Sequence, residues 1–340
     1  MIKLEPVQQC PLCGSLHKKT VYKRLEDRLF KCEGEWILVS CLSCGLVFLD
    51  PRPVPDDLSK TYTLSYSLRK QPAVKNPDSA GPSLKRRIRN AYFRRFRNYV
   101  NVEGNYLLSY IPLLVPGLRA KLEESIFHLD FIKDGTLLDI GCGTGDFINH
   151  MTMLGWNAEG IDTDRQAVQI CQNRNLNVKV GHLNEQKYPD DYFDIIVLKH
   201  VIEHVPNPIE LLMECRRIIK PGGKILLLTP NVSSTAHKIF GPYWLGLDVS
   251  RHLFLFSLET ISRAIEKAEL HALSRRSTYR ISKFVWMASY LNRKSGKSLY
   301  TQKPSLTVRI QSLLFVERLR IETVFNESAG DELEVVATKK

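Results

Sequence analysis

No stretch of this 340-residue sequence stays apolar long enough to span a bilayer, and its opening residues, MIKLEPVQQC, do not form a signal peptide. A cytoplasmic protein is therefore expected. Acidic residues are scarce, at 36 against 48 Lys and Arg, for a formal net charge of +12. The shortage is sharpest in LKRRIRNAYFRRFRN (84–98), which holds seven basic residues and no acid. With no export signal, the eight cysteines are expected to be reduced thiols and metal ligands, which argues against a disulfide framework. No internal repeat is apparent. A hydrophobic fraction of 44% and a charged fraction of 25% are ordinary for a globular chain. The length suits one full α/β domain and something smaller.

The most informative segment present is LLDIGCGTGDF (137–147). Its apolar residues predict a buried parallel strand with Asp139 near the end. Gly141, Gly143 and Gly145 then give a loop so poor in Cβ atoms that backbone can press against a ligand. A helix is expected over about 146–154. Asp162, in EGIDTD, comes 23 positions after Asp139, where a second strand should end with a carboxylate in reach of ribose hydroxyls. A pyrophosphate fingerprint needs glycine at the sixth place of G-x-G-x-x-G, and Asp146 stands there. A carboxylate at a helix N-terminus repels an incoming diphosphate. The expected cofactor is therefore a nucleoside without phosphates, S-adenosylmethionine.

CPLCG (10–14) and CLSCG (41–45) are two C-x-x-C-G knuckles, with 27 residues between Cys13 and Cys41. The trailing glycine of each allows the positive φ of a tight turn. Cys10, Cys13, Cys41 and Cys44 make a closed four-sulfur set for structural Zn2+, as in a zinc ribbon. A redox dithiol pair is the alternative. Two or three short strands are expected in VYKRLEDRLFKCEGEWILVS.

LLDIGCGTGDF, GIDTD, YPDDYFDIIVLKHVIEHVPNP and LLMECRRIIKPGGKILLLTPN together resemble the class I S-adenosylmethionine-dependent methyltransferases, over about residues 130–340. The resemblance implies an α/β, Rossmann-like, seven-stranded and mostly parallel sheet with a reversed final strand. Three divisions are expected: a zinc-ribbon-like module (1–55), a linker and basic or apolar helical region (56–127), and a methyltransferase domain (128–340). The cysteine module followed by VFLDPRP and such a core looks like bacterial methyltransferases of saccharide and natural-product pathways. Further strands are expected at 176–181, from 192 to Lys199 and His200, at 224–231, 270–277 and 331–340. HLDFIKDG (128–135) should be the helix and turn before the first strand, and 209–223 a helix closed by Pro-Gly-Gly. Cofactor contacts are expected from Asp139, Gly141, Cys142, Gly143, Gly145, Asp162 and Lys199. Relatives often place an acid after the third strand, against the adenine; here GHLNEQ offers Leu183 as a packing surface.

Methyl transfer from a sulfonium mainly requires an aligned acceptor and, where needed, a base. His200 is the first candidate, His252 the second and His204 the third, with Glu203 placed to orient an imidazole. For each, a histidine that only packs or caps is the competing reading. Arg251 could bind an acidic group of the acceptor, while Tyr243 and Trp244 could stack on a sugar ring. No N/D-P-P-Y/F segment and no Pro-Cys pair follows the fourth strand, against adenine amino or pyrimidine-ring methylation.

Residues 56–83 are rich in Ser, Thr, Pro and Lys, and QPAVKNPDSAGPS resembles a mobile loop. The basic stretch carries an apolar stripe at Leu84, Ile88, Tyr92, Phe96 and Tyr99, followed by proline-broken LLSYIPLLVPGL (107–118). Three readings compete: a core-packed helix with a solvated face, a peripheral contact of the 84–118 region with the inner membrane face, and a phosphate-binding face for RNA with Tyr92, Phe93 and Phe96 for stacking. The leading expectation is O-methylation of a saccharide or related small metabolite, nucleotide- or lipid-linked acceptors included. The alternatives are an rRNA or tRNA methyltransferase and a non-catalytic cofactor-binding adaptor.

Overall fold

The computed structural model describes residues 2–62, 83–296 and 302–339. Thirteen strands are described: β1 Leu4–Glu5, β2 Lys18–Leu25, β3 Trp36–Cys41, β4 Val47–Leu49, β5 Arg52–Pro53, β6 Thr136–Ile140, β7 Asn157–Asp162, β8 Val178–Val180, β9 Phe193–Lys199, β10 Ile219–Pro230, β11 Phe254–Leu255, β12 Leu270–Thr278 and β13 Glu332–Lys339. Seven of them form one sheet in the order β12-β13-β10-β9-β6-β7-β8. The last strand in sequence is inserted beside β10 and runs antiparallel to β12, the expected reversal.

The chain falls into two compact units, Met1–Lys70, Leu198–Arg217 and Leu227–Lys340 in one, Gln71–Val197 and Ile218–Leu226 in the other. In the second, β6, β7 and β8 run parallel, with Asp139 opposite Gly160 and Ile161 opposite Lys179. Leu137 and Leu138 on β6 and Ile196 on β9 are fully buried. Asp194 anchors the start of β6 through the Thr136 amide and pairs with Lys220, both at 2.8 Å. The helix Asp146–Met153 buries Ile148 and Met151, and the helix Arg165–Asn173 buries Ala167, Val168 and Cys171. Asp164 caps the latter by accepting from the amides of Gln166 and Ala167.

Two expectations for this unit are corrected. Residues 128–135 are not helical: the helix is Pro116–Ser125, and left-handed backbone at Phe127 and His128 stops it. Nor is Pro-Gly-Gly the closing turn of the next helix. Pro208–Ile218 ends earlier, and β10 includes Lys220-Pro221-Gly222-Gly223 because Ile219 is buried and Lys220 is held on Asp194.

The basic stretch is the helix Leu84–Phe96, capped by Ser83. It packs through Ala91, Tyr92 and Phe93, while Leu84 is exposed. Tyr92 donates its hydroxyl hydrogen to Glu123, which also pairs with Arg97 at 2.6 Å. The buried Tyr92 and Phe93 rings cannot stack on bases, which removes that support for an RNA face.

In the first unit a four-stranded sheet has the order β11-β4-β3-β2. The cysteine segment supplies three of these strands, and β11 reaches it from residues 254–255, with Phe254 opposite Phe48. Pro55–Tyr62 forms 3-10 turns. The remainder of the expected loop, residues 63–82, lies outside the described residues. No described helix is long and apolar enough to cross a membrane.

Candidate active site

The glycine loop leaves β6 with all three glycines in left-handed backbone: Gly141 at φ 69°, Gly143 at 56° and Gly145 at 75°. A Cβ on Gly145 would fall 2.6 Å from Leu176 Cδ1 and 2.9 Å from Cys171 Sγ, so this glycine sets how closely the loop approaches the next helix. Asp162 ties the loop to the end of β7. Its Oδ2 accepts from the Gly143 amide at 2.7 Å and its Oδ1 from the Asp164 amide at 2.9 Å. A carboxylate oxygen has two lone pairs and can accept from a second donor. Asp139 is buried at the end of β6.

Three neighbours of the loop refine the sequence reading. Cys142 has its thiol against Gly160, where a Cβ would meet its Sγ at 2.8 Å, so its ligand-facing group is backbone. Asp146 is paired with Arg174 at 2.9 Å, and that guanidinium also donates to the Thr144 carbonyl. Its charge is therefore offset, which weakens the electrostatic argument against phosphates. After β8, His182 and Glu185 cap a short 3-10 turn, with the His182 amide donating to Glu185 at 2.8 Å. That carboxylate is occupied by the cap. Leu183 is buried in the same turn, and Lys199 is exposed at the end of β9.

The histidines occupy a different environment, in the other unit. His200 takes left-handed backbone, φ 54°, just past β9, and its amide donates to the Leu228 carbonyl at 2.8 Å. Both its ring nitrogens face buried carboxylates: Nδ1 lies 3.3 Å from Glu203 and Nε2 2.9 Å from Glu332. Burial alone would lower its pKa, but the two carboxylates prevail and raise it to about 9. That shift favours the imidazolium, which has no lone pair, so the geometry around the first-ranked candidate supports a structural cation over a base. Glu332 also pairs with Arg280.

His204 is arranged differently. Its Nδ1 lies 3.1 Å from the Arg251 carbonyl and 3.0 Å from the Tyr62 hydroxyl. A carbonyl only accepts, which places the neutral proton on Nδ1 and leaves Nε2 as an acceptor. Burial, then the nearby His252, lower its pKa to about 4. His252 is buried and directs its Nδ1 to the Gly246 carbonyl at 2.8 Å, and the two rings sit edge to face at 4.7 Å. Glu203, fully buried, accepts from the Thr229 hydroxyl at 3.0 Å. Burial would raise its pKa, but His200 and the other imidazoles hold it at about 2. One donor atom each from Glu203, His204 and His252 lies within 4.8 Å of the others, a set whose chemistry suits proton transfer and a divalent cation alike.

Two expected acceptor ligands are corrected. Arg251 is buried, with its guanidinium on Asp27 at 2.8 and 3.1 Å, on Asp248, and over the Phe30 ring at 4.2 Å. It has no capacity left for a substrate acid. Trp244 is 2% exposed and packs on His237 at 4.7 Å, so it offers no ring face to a sugar. Tyr243 lies under the Arg28 guanidinium at 4.6 Å. Sequence reasoning missed Tyr62, Asp27, Arg280 and Glu332. The spacing Asp248-x-x-Arg251-His252 was visible, but nothing in it names Asp27 as a partner.

At the knuckles, Gly14 and Gly45 take φ 77° and 81° and donate back to the Cys10 and Cys41 carbonyls. The four sulfurs lie within 4.8 Å of one another, with Cys10–Cys44 and Cys13–Cys41 both at 3.5 Å. That is far beyond an S–S bond and close to the edge of about 3.8 Å of a tetrahedron with zinc–sulfur distances of about 2.3 Å. Burial raises the pKa of the Cys10 and Cys44 thiols, whereas at Cys41 burial is outweighed by hydrogen bonds from the Cys44 and Ser43 backbone, which lower it to about 6.

The strand order, with the left-handed glycine loop after β6 and the carboxylate at the end of β7, gives the Rossmann-like, seven-stranded fold of class I methyltransferases. Residues 116–274 match a family model described as a methyltransferase domain. Among curated proteins, the chain is similar to the ubiquinone biosynthesis O-methyltransferase of Albidiferax ferrireducens, 30% identical over 118 residues, covering 32% of this chain and 47% of that protein. The enzyme of the same name from Paraburkholderia xenovorans is 28% identical over 155 residues, covering 43% and 64%. The chain thus spans about half the length of the first of these relatives. A solved S-adenosylmethionine-dependent methyltransferase from Archaeoglobus fulgidus is similar at 21% identity and a TM-score of 0.42, covering 73% of this chain and 99% of that one.

Proposed function

We propose that this chain is an S-adenosylmethionine-dependent O-methyltransferase whose acceptor is a saccharide or related small metabolite, nucleotide- or lipid-linked forms included. The observation that carries the reading is the glycine loop clasped by Asp162 at 2.7 Å. The relatives' names carry O-methylation, and the cysteine module followed by VFLDPRP carries the saccharide class. When bound, S-adenosylmethionine supplies an electrophilic methyl group. The loop backbone and Asp162 hold its nucleoside. His204 Nε2 takes the acceptor's proton, and the buried Glu203 stabilises the imidazolium that results. Zn2+ on Cys10, Cys13, Cys41 and Cys44 is structural, since four thiolates leave no open position. A peripheral contact with an anionic membrane through 84–118 belongs to the same proposal, supported by the exposure of Leu107, Leu114 and Val115.

The test incubates the protein with methyl-labelled S-adenosylmethionine and fractionated cell extract. Label in glycan, glycolipid or sugar-nucleotide pools is expected. Label in RNA instead would replace the acceptor class. Binding of the cofactor with no transfer into any pool would leave a cofactor-binding adaptor. Absence of calorimetric binding of cofactor or its demethylated product would end the reading altogether.

A further inference from the structure

The helix Leu84–Phe96, the 101–105 segment and Met153 line a half-open pocket of about 590 Å³. Arg86, Arg87 and Arg89 line it together with the carboxamides of Asn90, Asn101 and Asn105, against one carboxylate, Glu103. The size is that of a small-molecule site. We propose that this cavity binds a ligand through a phosphate or diphosphate group, a role separate from cofactor binding and independent of the acceptor assigned above.

The cavity wall is built to hold its shape. Gly104 passes so close to the basic helix that a Cβ there would lie 2.5 Å from Ala91 Cα. Asn101 fits against Gly155, where an added Cβ would meet its Nδ2 at 2.5 Å. The arginines come from one turn of the helix Leu84–Phe96. Arg89 donates from Nε and Nη2 to the neutral Asn90 Oδ1 at 3.1 and 3.0 Å. Burial and Arg86 both depress its pKa, and burial with the nearby Arg89 lowers His150 to about 4. In both, burial is the larger cause and the neighbouring cation adds to it. On the same segment Arg97 pairs with Glu123 and Asp130, and Arg95 lies over Tyr106 at 4.1 Å.

Several planar guanidinium forks with amide donors between them suit the oxygens of a phosphate, which carries more charge and more acceptors than a single carboxylate. The phosphate could belong to a soluble molecule or to a lipid headgroup, and the chemistry of recognition is common to both.

The full chain should be titrated calorimetrically with inorganic pyrophosphate. In parallel it should be floated with phosphatidylcholine vesicles with and without phosphatidic acid. Saturable pyrophosphate binding, weakened at least about tenfold in R86Q/R89Q, is the expected result, and it should fall with salt. Met153→Trp should block it by filling the cavity while leaving every arginine in place. Capture by phosphatidic acid vesicles that both variants abolish would also support the site and assign it to a headgroup. Binding of neither probe, or binding indifferent to both variants, overturns the proposal. Unchanged melting temperature and cofactor affinity in the variants establish that the fold and the cofactor site are intact.

Discussion

At Arg251 a single guanidinium neutralises two acids, Asp27 and Asp248, with 1% of its side chain exposed. Removing one partner of such a cluster leaves uncompensated buried charge, at a cost of about 3–5 kcal/mol. Arg251→Met should therefore lower the denaturation midpoint sharply. If the variant melted like the parent and only its acceptor KM rose, the substrate role set aside above would be restored. His200 and His204, four residues apart, illustrate opposite electrostatics. His204, facing Glu203, His252 and Asp248 and held neutral by burial, keeps a proton-accepting nitrogen down to about pH 4. The acid limb of kcat/KM should then lie near pH 4, and a limb near the ordinary histidine value of about 6.5 would reject it as the base. For His200 the folded pKa is raised, so its contribution to stability is complete below the unfolded value of about 6.5 and disappears as pH rises through about 9. His200→Gln should lose that alkaline dependence, measured as melting temperature against pH.

Among the elements, β6 and β9 were legible because each is a short apolar run, and β6, β7 and β12 formed close to where they were expected. The helix before β6 was misplaced because Phe127 and His128 adopt left-handed backbone, which no local pattern announces. The long β10 was cut short because Pro-Gly-Gly reads as a turn until Lys220 finds Asp194. The glycine loop and the turns of both knuckles were legible down to single positions, since glycines in left-handed backbone set each of them. The partners of His200 and Arg251 come from residues far away in the chain, and only folding brings them in. Gly145 joins the two scales: its φ of 75° and the 2.6 Å approach to Leu176 leave no room for a methyl group. Gly145→Ala should force the loop away from the helix Arg165–Asn173. Calorimetry should show weaker binding of the demethylated cofactor, and full affinity would mean that the loop is not the nucleoside's seat.

On the scale of the whole molecule, the cysteine segment is more than an appended module. Its sheet takes β11 from residues 254–255, the Leu49 amide donates to the Leu253 carbonyl at 3.0 Å, and Asp27 holds Arg251. The Leu253 amide in turn donates to the Glu203 carbonyl at 2.7 Å, so the knuckle sheet continues by hydrogen bonds to the backbone of the residue beside His204. If zinc holds the knuckles as proposed, its loss should reach His204, the proposed base, and spare the glycine loop. Cys41→Ser removes one ligand of four, and the variant is expected to lose its zinc, measured by metal analysis of the purified protein. Methyl transfer should fall by more than about tenfold, because the His204 and His252 geometry depends on β4 and β11. Affinity for the demethylated cofactor should remain within about a factor of two of the parent, since Gly143 and Asp162 draw on neither strand. Zinc retained in full would refute the ligand set. Zinc lost with turnover unchanged would show that the four sulfurs and the histidine cluster fold independently of each other.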